Sequence, residues 1–350
     1  MEVPSIFLNR VLTMVAQKGA SSLHLTVGSP PTIRVDNELI AIEGEDIASI
    51  ELINKIINSL IDEEENKKLT KDKETVLVKE LAGSFRFRIN IFYQKNLPSL
   101  SFHYISNIIK NISDLKLPKV LNNLIKLNSG LFIIAGPFRS GKTATATALI
   151  EEINKNYKRN IITIEDPIEY LFIGKKSIIT QRQVGRDVIS VAQGLKYSLE
   201  EDADLIYAGE VKNEFESAMP LILDLAAGNS LVILEINANS SVRAIEKILN
   251  SLEGKISAEA ARYSLADVLI GVIVQRLIPR RGGGLAMVPE ILLASSAVKS
   301  LIREGKIYQL DSVIQTSRKE GMISMEKSLD ELVKAGEIKE EDADGLKLEN

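Results

Sequence analysis

"GPFRSGKT", Gly136 to Thr143, is the stretch whose reading decides the fold. It fits GxxxxGK[ST], a loop whose backbone N–H groups cradle phosphate oxygens when a strand precedes it and a helix follows. Both are legible here. "GLFIIA", Gly130 to Ala135, is an unbroken apolar run. After the loop, Ala146, Leu149, Ile150, Ile153 and Tyr157 recur at helical spacing. In that setting Gly136, Pro137, Arg139, Ser140 and Gly141 are expected to form the cradle for ATP. Lys142 is expected to reach the β- and γ-phosphates, and the Thr143 hydroxyl to ligate Mg²⁺.

Further apolar runs follow, alternating with helical stretches: "NIITIED", "DLIYAGE" and "SLVILEI". Uninterrupted apolar strands between helices predict a parallel sheet covered on both faces. Such sheets bind ligands at the carboxyl ends of their strands. There the sequence delivers Glu165, Asp166 and Glu169 after one strand and Glu210 after another. These acids are candidates to hold Mg²⁺ through water or to orient a nucleophilic water. Glu210 is the better general base, since a rigid strand leads into it.

The bulk numbers exclude other chemistries. The 350 residues suffice for two domains, and the net charge of -4 argues against nucleic acid as a partner. There is no cysteine, hence no disulfide and no thiolate zinc site. His24 and His103 are the two histidines, far apart in sequence and without metal-ligand spacing. No apolar run reaches the roughly 20 residues of a membrane span. The opening "MEVPSIFLNRVLTMVAQKG" has an acid at Glu2 and helical periodicity, against a signal peptide. The chain is expected to be cytoplasmic.

The first hundred residues read as α+β. Ile6, Leu8, Val11, Leu12 and Val15 suit the inner face of an opening helix, and "SSLHLTV" alternates as a strand. "PPTIRVDNELIAI" predicts a hairpin turning at Asp36-Asn37, and "TVLVKELAGSFRFRINIFYQ" another near Ala82-Gly83. Ile47 to Ile61 has helical spacing, and Asp62 to Glu74 reads as a solvated helix end and loop. The expected division is an N-terminal domain at 1–104, a linker at 105–128, an ATPase core at 129–295 and a helical segment at 296–350.

With these residues assembled, the chain resembles the type IV pilus retraction ATPases (PilT-like), within the secretion ATPase superfamily of ring motors. "GASSLHLTVGSPPTIRVDNEL" is similar to that family's N-terminal signature, "GSFRFRINIF" to its arginine-bearing hairpin and "TIEDPIEY" to its aspartate box. "GVIVQRL", "GGGLAMVPEILLASSAVKSLIREGKIYQL" and "IQTSRKEGMISMEKSLDELVKAGEI" match its C-terminal segments. The resemblance implies an α/β fold, with an N-terminal PAS-like α+β domain, a RecA-like P-loop ATPase domain and a C-terminal helical segment. It implies a homo-hexamer at the inner face of the cytoplasmic membrane, peripheral to it only through partners, with ATP between the two domains. Arg86 or Arg88 would help neutralise the phosphates. Domain rotation would drive an inner-membrane platform protein and remove pilin from the pilus. Extension and secretion relatives commonly carry a four-cysteine zinc module, so the lack of cysteine fits the retraction branch.

The departures from the family pattern concern catalysis. Arg139 stands where glycine is usual, and Ser230 and Asn237 where histidines are usual. Lys212 and Asn213 replace an arginine and an aspartate, His103 a second arginine, and Ser22 an aspartate. Glu235 adds a carboxylate on a core strand, costly unless paired. A single positioned donor is worth roughly 10² to 10³ in rate, and an arginine on transferring phosphate about 10³ to 10⁵. Two roles are therefore open: a retraction motor, or an ATP-binding accessory subunit that hydrolyses little and acts with a paralogous, active retraction ATPase. "SAVKSLIRE", Ser296 to Glu304, predicts an amphipathic helix, which the resemblance links to retraction rather than to ATP binding.

Overall fold

A computed structural model describes residues 4–36, 38–212 and 214–348. The chain divides into two compact units, Met1–Ile108 and Ile109–Asn350.

The first unit is built on a six-stranded antiparallel sheet in the order β3-β2-β1-β6-β5-β4. Its strands are β1 (Ser22–Thr26), β2 (Thr32–Val35), β3 (Glu38–Ala41), β4 (Glu74–Leu81), β5 (Phe85–Gln94) and β6 (Leu97–Ile105). Period-two alternation sets its faces. Phe87, Ile89 and Ile91 of β5 are wholly buried, in one core with Val11, Leu12 and Val15 of the opening helix. Arg86, Arg88 and Asn90 stand on the opposite face. Register places Arg34, Ser22, His103 and Arg88 in one row across β2, β1, β6 and β5.

Several local expectations need correction. Ile6 is 55% exposed, and Phe7 fills the core instead. Asp62 to Glu74 is not merely a helix end. Asp62 caps a separate helix, Glu63–Asp72, through a reciprocal box with Glu65, a device worth about 0.5–2 kcal/mol. The helix expected from Ile47 begins at Ile50, where the Ser49 side chain accepts from Leu52 N. Strand β6 escaped the sequence reading, because "LPSLSFHYI" carries a proline at its second position, beside the hairpin turn. In the predicted turn Asp36-Asn37, Asn37 lies outside the described residues.

The second unit holds a seven-stranded sheet in the order β13-β12-β7-β11-β10-β8-β9. The strands are β7 (Gly130–Ala135), β8 (Asn160–Glu165), β9 (Ile178–Gln183), β10 (Leu205–Ala208), β11 (Leu231–Ile236), β12 (Leu269–Pro279) and β13 (Leu285–Leu293). All pairs are parallel except β12 with β13. Every residue of β7 is buried because the sheet is covered on both faces. Leu131, Ile133 and Ala135 enter one core, while Phe132 and Ile134 enter another beneath helix Lys142–Asn156. Ile112, Leu117 and Leu121 pack into that second core. Helix Ser296–Arg303 buries Val298 and Ile302 in the first. Among the described residues no helix is long and apolar enough to cross a membrane.

Candidate functional site

The loop leaves the interior strand β7, flanked by β12 and β11. Gly136 sits at φ 152°, and a Cβ there would lie 2.3 Å from Ser140 Oγ and 2.5 Å from Gln275 O. Only glycine lets the chain pass that close to β12. Gly141 takes φ 87° to start helix Lys142–Asn156, so the N-terminal N–H groups face the carboxyl end of the sheet. Arg139 at φ 65° is left-handed without being glycine. Its exposed guanidinium stands 5.9 Å from the Phe138 ring centroid.

Lys142 is buried, and its Nζ donates to the carbonyls of Gly136 (3.1 Å) and Pro137 (2.9 Å). Burial pulls its pKa below the usual lysine value, against the opposing pull of Glu235 and Glu210. The ammonium therefore lies within the field of two carboxylates from neighbouring strands. Two buried polar atoms beside the loop, Ser140 Oγ and Gln275 Oε1, have no hydrogen-bond partner. Gln275 Nε2 is taken by Thr145 Oγ1 at 2.7 Å. A loop that only glycine can close, an orphaned hydroxyl and a buried cation fit a phosphate-bearing ligand.

The face of the sheet beneath that helix turns polar at its carboxyl end. Glu235 of β11 is 2% exposed; its Oε1 accepts from Tyr207 at 2.5 Å and its Oε2 from Thr143 Oγ1 at 3.3 Å. Burial raises its pKa to about 7, despite the Tyr207 hydrogen bond and Lys142. Tyr207 is itself pushed well above the ordinary phenol value, by burial and then by Glu235 and Glu165. The structure thus supplies the partners that a core carboxylate requires. Sequence reading noticed Glu235 as an oddity and missed Tyr207 and Gln275. The signal for Gln275 was one amide inside the apolar run "GVIVQRL".

The remaining acids differ in environment. Glu165 is buried, with Oε1 accepting from Thr163 Oγ1 (2.6 Å) and Gln181 Nε2 (3.2 Å). Glu169 is half-buried and close enough to raise Glu235. Asp166 is exposed, and Lys212 Nζ lies 3.7 Å from its Oδ2 and 3.2 Å from its carbonyl. Glu210 Oε1 accepts from Asn237 Nδ2 at 2.5 Å. Of the two positions where histidines were expected, only Asn237 follows the carboxyl end of β11. Ser230 precedes the strand and donates to Ala203 O at 2.6 Å, roughly 20 Å away along a six-residue strand. Asn213 lies outside the described residues. Arg86 and Arg88 belong to the first unit, where Arg86 meets Glu80 at 3.6 Å.

Comparison with known proteins agrees. The profile of the family described as "Type II/IV secretion system protein" matches residues 3–283. The type IV pilus retraction ATPase PilT of Pseudomonas aeruginosa is 32% identical over 336 residues, 96% of this chain and 96% of that protein. The type IV pilus ATPase PilU of the same organism is 30% identical over 335 residues, covering 95% of this chain and 87% of that protein. The crystal structure of the pilus retraction motor PilT with bound ADP superposes with a TM-score of 0.82 at 32% identity, covering 97% and 96% of the two chains. The fold is therefore mixed α/β, with an N-terminal PAS-like α+β domain and a RecA-like P-loop ATPase domain that carries a C-terminal helical segment.

Proposed function

Because this chain belongs to the type II/IV secretion system protein family and is PilT-like, we propose that it is a retraction-type motor subunit of a type IV pilus. It binds Mg-ATP and couples hydrolysis to domain rotation and pilus disassembly. The observation that carries this reading is the convergence of Lys142, Thr143, Glu235 and Glu210 at the carboxyl ends of β7, β11 and β10. Lys142 exchanges its two loop carbonyls for phosphate oxygens, and the N–H groups of the loop residues other than Pro137 surround them. Thr143 is the metal-ligating hydroxyl, and the metal supplies Lewis-acid stabilisation of the phosphates when bound.

Glu210 orients and deprotonates the attacking water. Glu165, Asp166 and Glu169 complete the acidic wall, and Arg86 and Arg88 are the cations assigned to the phosphates. We assign 1–104 to the N-terminal domain, 105–128 to a linker, 129–295 to the ATPase core and 296–350 to the C-terminal segment. The working form is a homo-hexamer on the cytoplasmic side of an inner-membrane platform protein.

A second reading rests on one contact. Asn237 holds Glu210 with an amide that has no titratable proton to relay. This favours an accessory subunit that binds ATP and turns over slowly beside an active paralogue, and the PilU relative is compatible with it. Steady-state hydrolysis by the pure chain, beside K142A and E210Q, separates the two. Turnover lost in both variants supports the motor. Wild-type turnover no higher than that of K142A, with ATP still bound, supports the accessory role.

A further inference from the structure

The buried Glu235 belongs to none of the acids that the loop pattern or the strand ends single out, yet it reaches the loop itself. Its Oε2 stands 3.3 Å from Thr143 Oγ1. Two neighbouring ligands of an octahedral Mg²⁺, each about 2.1 Å from the ion, lie about 3.0 Å apart. The two oxygens are therefore within a few tenths of an ångström of the edge of such an octahedron.

The other oxygen is fixed. Tyr207 Oη donates to Oε1 at 2.5 Å, and Tyr207 is itself 1% exposed on β10. That bond leaves Oε2 turned toward Thr143. Among the described residues no cluster of three His, Cys, Asp or Glu side chains could hold a metal alone. Mg²⁺ beside a nucleotide commonly takes one or two protein ligands and completes its shell with phosphates and water.

We propose that Glu235 is a direct metal ligand, paired with Thr143, for the divalent cation that accompanies the nucleotide, with Tyr207 as the positioning residue that aims it. The inference rests on the nucleotide site proposed above and deepens it. On β11 the carboxylate lies beside the loop strand, whereas Glu210, just after β10, is one strand further away and is held by Asn237 instead.

The test is equilibrium binding of ADP to the full chain by calorimetry, once with Mg²⁺ and once with EDTA. The ratio of the two affinities is the metal's contribution. The wild type is expected to gain at least about tenfold from Mg²⁺, and E235Q to lose most of that gain. In EDTA the E235Q affinity is expected to be unchanged or higher, because a negative charge near the phosphates has gone. E235D, which keeps the charge but withdraws it by one methylene, is expected to lose part of the gain. With Mn²⁺ in place of Mg²⁺, the paramagnetic resonance line shape of the bound Mn-ADP is expected to differ between wild type and either variant.

An equal ratio in wild type, E235Q and E235D overturns the assignment, as does tighter Mg-ADP binding by E235Q. Both outcomes leave the nucleotide reading standing. A wild type that takes up ADP in neither condition removes the nucleotide reading itself.

Discussion

Tyr207 and Glu235, on adjacent parallel strands, share a hydrogen bond of 2.5 Å in the interior of the second unit. The phenol is the shorter of the two hydroxyl contacts that hold the carboxylate, the other being Thr143 at 3.3 Å. Replacing it leaves a buried charged oxygen without its main donor. Y207F should destabilise the chain by about 1–3 kcal/mol, read by urea unfolding. The loss should be larger at pH 8, where Glu235 is mostly ionised, than at pH 5.

The same carboxylate makes stability fall with pH. Its folded pKa of about 7 exceeds the ordinary glutamate value of 4.5, so the folded state binds the proton more tightly. Its contribution is fully present below about pH 4.5 and is lost as pH rises through about 7. At about 1.4 kcal/mol per pH unit the total is about 3 kcal/mol. Lys142 and Glu169 face the group and shift it in opposite directions. The difference in unfolding free energy between wild type and E235Q, followed from pH 4.5 to 8, isolates this contribution. It should change in favour of E235Q across that window and level off above it.

Arg139 offers a clean probe of the loop. Its left-handed backbone, φ 65°, costs roughly 1–2 kcal/mol for a residue with a Cβ. Glycine removes that strain but adds roughly 0.5–1 kcal/mol of unfolded-state entropy. R139G should therefore change stability by no more than about 1.5 kcal/mol. If the guanidinium contacts a phosphate, ADP affinity should fall by roughly tenfold. Unchanged affinity removes the compensating role for this arginine.

Gly136 is the opposite case. A methyl group there meets Ser140 Oγ at 2.3 Å and the backbone oxygen of Gln275 at 2.5 Å. The second cannot rotate away. G136A should displace the loop from β12, lower stability by about 1–3 kcal/mol and weaken ADP binding more than R139G does.

The loop, the helix after it and the four buried parallel strands were legible because their signals are local: an unbroken apolar run, then glycines, then helical spacing. Strands β9 and β12 were not. β9 is a polar edge strand, reading "IITQRQ", and β12 is separated by a bulge at Leu269/Gly271 from a simple pairing with β7. The carboxylates at the strand ends were found from position alone. The Tyr207–Glu235 contact was not, since no sequence period links residues 28 apart on neighbouring strands. The histidine positions also separated only in three dimensions. Asn237 reaches Glu210, while Ser230 is a backbone tie at the far end of its strand.

The central claim is that Lys142 lies in a phosphate cradle backed by carboxylates from β10 and β11. Calorimetric titration of the full chain with ATP in Mg²⁺, beside K142A, tests it most directly. The account predicts saturable uptake by the wild type and an affinity lower by roughly 10- to 100-fold in K142A, the worth of a hydrogen bond to a charged group. No uptake by the wild type, or equal uptake by K142A, contradicts it.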